Sequence, residues 1–191
     1  MHTSIKTKKN PLARAAAACA LFVSVCSPAL TYAVTVSPGG SVTLSGSMDI
    51  SLSSSPVLGS THATCPLTVT GTLTPGTGSL SVTSAAFTSS CTATGSTGFS
   101  VIFFIPTGTS ISAQITGSSS NWEFYSINFP VRIVPDPQFS PPYYEDCVFS
   151  NFNWWRPTSQ VSLGGSAAST SGGTCNASST LTASPAQTFS P

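Results

Sequence analysis

The chain has 191 residues, of which six are Lys or Arg and five are Asp or Glu, for a formal net charge of +1. Four of the six cations, Lys6, Lys8, Lys9 and Arg14, lie near the N-terminus, leaving Arg132 and Arg156 to face Asp49, Glu123, Asp136, Glu145 and Asp146. Nucleic acid and anionic membrane surfaces demand clustered Lys and Arg, so both are excluded as partners, while weak self-repulsion favours association.

From the N-terminus, the basic residues lead into the apolar run "AAAACALFVSV", Ala15 to Val25, and then into "CSPALTYA". A basic start, an apolar core of about 7 to 15 residues and a small-residue exit describe a secretory signal, whereas a membrane span needs about 20. Residues 1–33 are therefore predicted to be a signal peptide cleaved after Ala33. Residues 34–191 are predicted to be one secreted domain, with no membrane span in the mature chain. Bulky Val25 ahead of Cys26 argues against a lipoprotein signal.

Beyond Val34 the apolar residues keep a two-residue period. They run through Val42 and Leu44, then Met48, Ile50 and Leu52, then Leu67, Val69 and Leu73, then Leu80 and Val82, and then Ile111, Ala113 and Ile115. Ser and Thr fill the alternate positions, as expected of half-buried strands. The breaks "SPGG", "TPGTG", "TGSTG", "PTG" and "TGSSSN" supply the dihedral angles that tight turns require. No stretch of the mature chain has a helical period. "FSVIFFIP", Phe99 to Pro106, is apolar on both faces and predicts a central strand covered on both sides. Trp122 and Phe124 share a face predicted to be core. "FPVRIVP" lies between Pro130 and Pro135 and predicts an edge or short strand. "PDPQFSPPYYED" predicts a stiff irregular loop, and "SLGGSAASTSGGTC" a flexible run before the last strand, "SSTLTAS". Many short strands give an all-β, single-domain antiparallel β-sandwich or barrel-like fold.

Cys65, Cys91, Cys147 and Cys175 remain after export, an even number that predicts two disulfides staples across the fold. Three connectivities are open, and the near-equal separations make Cys65–Cys91 with Cys147–Cys175 the simplest. There is no CxxC pair, and His62 is the only mature histidine, so neither zinc nor another cofactor is expected.

The stretch "PPYYEDCVFSNFNWWRP", Pro141 to Pro157, concentrates acids, a Cys and aromatics. Glu145 and Asp146 are adjacent, and in an extended segment they point to opposite faces, which prevents a glycosidase acid and base from converging. They read as solvated acids on a loop, too poorly spaced to build a calcium site. Cys147 has no evident base, and no GxSxG elbow exists. Nothing here predicts an enzyme. An unbroken extension puts Tyr143, Glu145, Cys147, Phe149 and Trp155 on one face and Tyr144, Asp146, Val148, Phe152 and Trp154 on the other. One set would seal the core and the other would face outward. The candidate binding residues are Tyr143, Tyr144, Phe152, Trp154 and Trp155.

The blocks "VTVSPGGSVTLSG", "CPLTVTGTLTPGTGSLSVTSAAFTSSC" and "GGTCNASSTLTASPAQTFSP" resemble the PraB-type secreted bacterial alkane oxidation protein activators. "SINFPVRIVP" is similar to that family's penultimate apolar strand, and the four Cys match its four. The segment from Pro135 to Gln160 is longer and more aromatic than the family pattern. The resemblance implies a non-enzymatic extracellular protein of the cell surface or biofilm matrix that assists growth on alkanes, and it supplies no catalytic residue. The expected function is thus a secreted matrix or surface-active protein whose partner is a hydrophobic interface, a glycan or a matrix component. An adhesin or carbohydrate-binding module is the alternative. A further one is a self-associating fibre subunit that pairs through "FPVRIVP" or the N-terminal "VTVSPGGSVTLSG".

Overall fold

The two-residue period becomes strand after strand in the computed structural model, which describes residues 35–119, 121–139 and 141–190. The predicted signal peptide lies outside those residues. The strands are β1 (Thr35–Ser37), β2 (Gly40–Ser55), β3 (Gly59–Leu73), β4 (Leu80–Phe87), β5 (Cys91–Thr94) and β6 (Ser100–Phe104). They continue with β7 (Ile111–Ser118), β8 (Trp122–Asp136), β9 (Glu145–Trp155), β10 (Gln160–Ala168), β11 (Thr174–Ser184) and β12 (Thr188–Ser190).

Hydrogen-bonded neighbours run β8-β7-β4-β3-β2-β11-β10-β9, and β9 pairs back onto β8, so these strands close into an antiparallel ring. The β5–β6 hairpin joins through β6 to β8, while β1 and β12 pair only with each other. Closure is the barrel-like alternative of the sequence expectation, and it pairs the β9 edge that an open sheet would expose.

The apolar residues of the alternation face inward. Met48, Ile50 and Leu52 on β2 lie opposite Cys65, Ala63 and Thr61 on β3, and Phe103, Phe129, Phe149, Phe152 and Trp154 fill the interior from the opposite wall. Ser and Thr take most outward positions. A membrane-spanning barrel has the reverse arrangement, with its apolar side toward lipid. At Gly46 the ring is tight enough that a Cβ would run into the Thr180 carbonyl oxygen of β11.

Both disulfides follow the simplest pairing, Cys65–Cys91 and Cys147–Cys175, with Cα atoms 5.4 and 6.1 Å apart. Each bridges strands that share no ladder. The first ties β3 to β5. The second ties β9 to β11 across β10, whose ladder with β9 stops at Gly164 while its ladder with β11 continues to Ala168.

Several local expectations are corrected. "FPVRIVP" is no edge: it forms the second half of β8, which pairs with β9 over Trp122–Ile133, with β7 over Glu123–Ile127 and with β6 over Arg132–Asp136. Pro130 falls in residues 128–131, which neither β7 nor β6 covers, so a missing N–H removes no ladder bond on that side. "VTVSPGGSVTLSG" is not free either, because β1 pairs with β12 and Val36 is buried. β6 lies between β5 and β8 but is covered on one face only, leaving Phe104 37% exposed. Trp122 and Phe124 point outward, because Glu123 and Tyr125 take the interior positions of β8. "SLGGSAA" is strand β10, and the irregular Pro-rich loop shrinks to the residues between Asp136 and Glu145.

The Cys65–Cys91 bridge should matter because β3 and β5 have no ladder to hold them. The double variant Cys65→Ala/Cys91→Ala is expected to lose about 3 kcal/mol of unfolding free energy, measured by urea denaturation under conditions that leave the second disulfide intact.

Candidate functional site

Strand β9 carries most of the aromatic stretch, and its alternation is not unbroken. Glu145, Cys147 and Phe149 point inward, Ser150 and Asn151 both face out, and Phe152 and Trp154 point inward again. The ladder with β8 shifts register between Ser126 and Phe129 at the same level. A single irregularity of this kind moves every later side chain to the opposite face.

The five candidate residues therefore separate. Phe152 and Trp154 are core side chains, at most 1% exposed, and take no part in a surface. Trp155 is half-buried on the outer face, where it packs against its cross-strand partner Trp122 with ring centroids 4.6 Å apart. Tyr143 packs against the core, and its hydroxyl donates to Glu145 Oε1 at 2.9 Å. Tyr144 alone stands well out, at 48% exposure.

Tyr144 is held in place from below. The Arg132 guanidinium carbon lies 4.2 Å from the ring centroid, and Arg132 donates through Nε and Nη2 to the two oxygens of Asp146 at 2.6 and 2.7 Å. The Asp146 hydrogen bond is the main reason Arg132 holds its proton more firmly than usual. Phe104 pairs with Arg132 from the other side, and Val148, 46% exposed, lies opposite Pro130. The outer faces of β6, β8 and β9 thus bring Phe104, Arg132, Asp146, Tyr144 and Val148 together. Next to Phe104 a shallow groove of about 580 Å³ opens between the β4–β5 turn and β6, lined by Phe87, Ile102 and Ile105 with Ser and Thr hydroxyls. It exists because β4 pairs with β7 only at Leu80–Val82 and β5 with β6 only at Cys91–Thr94, leaving the wall between those ladders unpaired.

Phe104 is not expected at the surface from sequence, and Val148, though on the Tyr144 face, is not among the candidate binding residues. The doubly apolar run around Phe104 reads as a covered strand, and only the absence of a second layer over β6 reveals otherwise. Phe124, 39% exposed, is a second outward aromatic on β8, near the Trp122–Trp155 pair.

Glu145 and Asp146 do point to opposite faces, but they are not a pair of solvated acids. Asp146 is the partner of Arg132. Glu145 is fully buried, accepting from the Ser55 and Tyr143 hydroxyls. Burial pushes its pKa up, and the hydroxyls of Ser169, Ser55, Ser171 and Tyr143 push it down further, so the net direction is downward. Neither Ser169 nor Ser171 reaches hydrogen-bond geometry with Oε2, so theirs is a looser influence. Glu123, buried at the other end of β8, shifts upward: desolvation outweighs the hydrogen bond and charge of Arg156.

Among the described residues no three His, Cys, Asp or Glu side chains converge on a point. His62 lies on the outer face of β3 with Asp49 nearby, and Asp49 accepts the Thr64 hydroxyl. The arrangement around Tyr144 offers flat apolar contact bordered by one fixed ion pair.

The two buried acids respond oppositely to pH. Because the folded pKa of Glu145 is lowered, its stabilisation is complete above the ordinary carboxylate range and is lost as pH falls through the folded value. The Glu123 pKa is raised, so its contribution runs the other way. Glu145→Gln is therefore expected to destabilise most at neutral pH, with the gap to wild type closing in denaturant titrations carried well below pH 4. A gap constant across that range would contradict the assignment.

No known family model, no curated protein and no solved structure matches the chain.

Proposed function

We propose that this is a non-enzymatic secreted β domain of the cell surface or biofilm matrix that contacts hydrophobic interfaces through the outer faces of β6, β8 and β9. The observation that carries this reading is the grouping of exposed Phe104, Tyr144 and Val148 around the Arg132–Asp146 pair. On this face the Arg132 and Asp146 charges offset one another, so little net charge opposes approach to an apolar phase. Exposed apolar groups clustered on one face of a protein mark an association surface more often than chance. Two disulfides fit an oxidising, extracellular compartment. The sequence blocks resembling PraB-type alkane oxidation activators point the same way.

Recognition of a glycan is the second reading, favoured by one observation: Tyr144 is held flat and open beside a charged pair, as a sugar-stacking ring would be. Here the platform is Tyr144, since Trp154 is buried.

Interfacial tension at a hexadecane–water drop separates these readings. The mature protein is expected to lower the tension, and Phe104→Ser/Val148→Ser to slow adsorption several-fold with an unchanged far-ultraviolet spectrum. Equal adsorption by the variant, or none by either protein, would sink the interface reading. A specific glycan-array signal lost in Tyr144→Ala would support the second instead.

A further inference from the structure

Six buried side-chain polar atoms among the described residues have no hydrogen-bond partner within the protein. Four of them belong to one group: Glu123 Oε2, Tyr125 Oη, Trp154 Nε1 and Arg156 Nε. Native interiors leave only a few such atoms unpaired, so four in one group call for a physical reason.

These four side chains converge. Glu123 and Trp154 are cross-strand partners in the β8–β9 ladder, both 0% exposed, and Tyr125 is the next inward residue of β8. Arg156 reaches in from the end of β9, where its Nη2 donates to the other oxygen of Glu123 and to Ser118 Oγ at 3.0 Å. The Tyr125 phenol is pushed up first by burial and then by the Glu123 charge, which places the two groups within electrostatic reach.

The chemistry of the four atoms selects what they bind. Trp154 Nε1 and Arg156 Nε can only donate, Glu123 Oε2 accepts, and the Tyr125 hydroxyl does either. A metal ion is opposed by the inward N–H groups and the guanidinium, and a free anion by the carboxylate. A small neutral molecule that donates and accepts together meets every requirement, and water is the smallest. We propose that this end of the barrel contains an internal water site, in which water bridges Glu123 Oε2, Tyr125 Oη, Trp154 Nε1 and Arg156 Nε.

The site is also covered on its inner side. Phe189 of β12 packs on Trp154 with ring centroids 5.1 Å apart. The β1–β12 ribbon is pinned by Gln187, 1% exposed, whose Oε1 accepts from Gly39 N–H at 2.9 Å and whose N–H donates to Ser159 Oγ at 3.1 Å. Water held behind that ribbon exchanges slowly with solvent. The site lies inside the barrel and is independent of the outer apolar face.

Water–protein NOE and ROE spectra of the ¹⁵N-labelled mature protein test this at the indole N–H groups. Trp122→Phe and Trp155→Phe, at half-buried positions, leave the Trp154 signal identified by elimination. A Trp154 cross-peak to water with the sign of a long-lived contact is expected, and it should persist in Tyr125→Phe, which excludes relay through the phenol proton. Absence of that cross-peak in the wild type overturns the proposal. Thermal unfolding gives a second reading. A bridged Tyr125 hydroxyl makes Tyr125→Phe melt lower than wild type, whereas an orphaned one makes it melt higher and would equally overturn the site.

Discussion

The pairing of β9 back onto β8 is the constraint on which the structure rests. Without it the remaining ladders form an open sheet ending in β9, with its apolar face uncovered and an edge available to any passing strand. With it, inward side chains of opposite walls meet and the interior can exclude water. β8 makes this possible because it is long: one 15-residue strand serves β9 on one side and both β7 and β6 on the other. The same sharing creates the gap in the wall. Where β7 and β6 divide β8 between them, β4 pairs with β7 only at Leu80–Val82 and β5 with β6 only at Cys91–Thr94, and the groove beside Phe104 opens between the β4–β5 turn and β6. The Cys65–Cys91 bridge ties β3 to β5 there, beside isolated hydrogen bonds such as Thr88 N–H to the Pro66 carbonyl at 2.9 Å.

The β8–β9 pair also carries two different solutions to burying a carboxylate. Glu123 has Arg156, yet desolvation still exceeds what the cation returns, the usual outcome for a buried ion pair with incomplete hydrogen bonding. Glu145 has no cation and is surrounded by hydroxyls, whose protons turn toward it at little cost in charge burial. One end of the barrel therefore holds its acid with a cation and the other with hydroxyls, although both acids occupy inward positions at 0% exposure.

How much of this the sequence discloses depends on whether a position is decided locally. Met48, Ile50 and Leu52 alternate with Ser over a regular strand, and they are core as expected. The near-equal Cys spacings make the observed pairing the simplest of three connectivities, and the fold decides among them. Phe152 and Trp154 were misplaced because a one-residue register shift near Ser150 reverses the parity of all that follows, and nothing in "VFSNFNWW" announces it. Trp122 departs from the core reading because charged Glu123 takes the inward position and pairs with Arg156, and Phe104 departs for another reason. Apolar character on both faces of a segment states what the residues would prefer, but whether a second layer exists to cover them is a property of the whole topology. "FPVRIVP" shows the converse: prolines bar a central position only where their missing N–H would have had a partner.

The outer apolar face gains its meaning from how rigidly it is presented. A lone exposed Tyr or Val is ordinary on any protein. Tyr144, however, rests on Arg132, which both oxygens of Asp146 hold, and Asp146 N–H in turn donates to Thr170 Oγ1 at 3.1 Å. An exposed ion pair of this sort adds at most about 1 kcal/mol to stability, too little to explain its geometry as a stabilising device. What it does accomplish is to fix a guanidinium under an aromatic ring and so limit the ring's freedom before anything binds. A surface ordered in advance loses less entropy on contact, whether with an apolar phase or a sugar. Under the proposed reading the ion pair serves as the support of a contact surface rather than as a contribution to the fold.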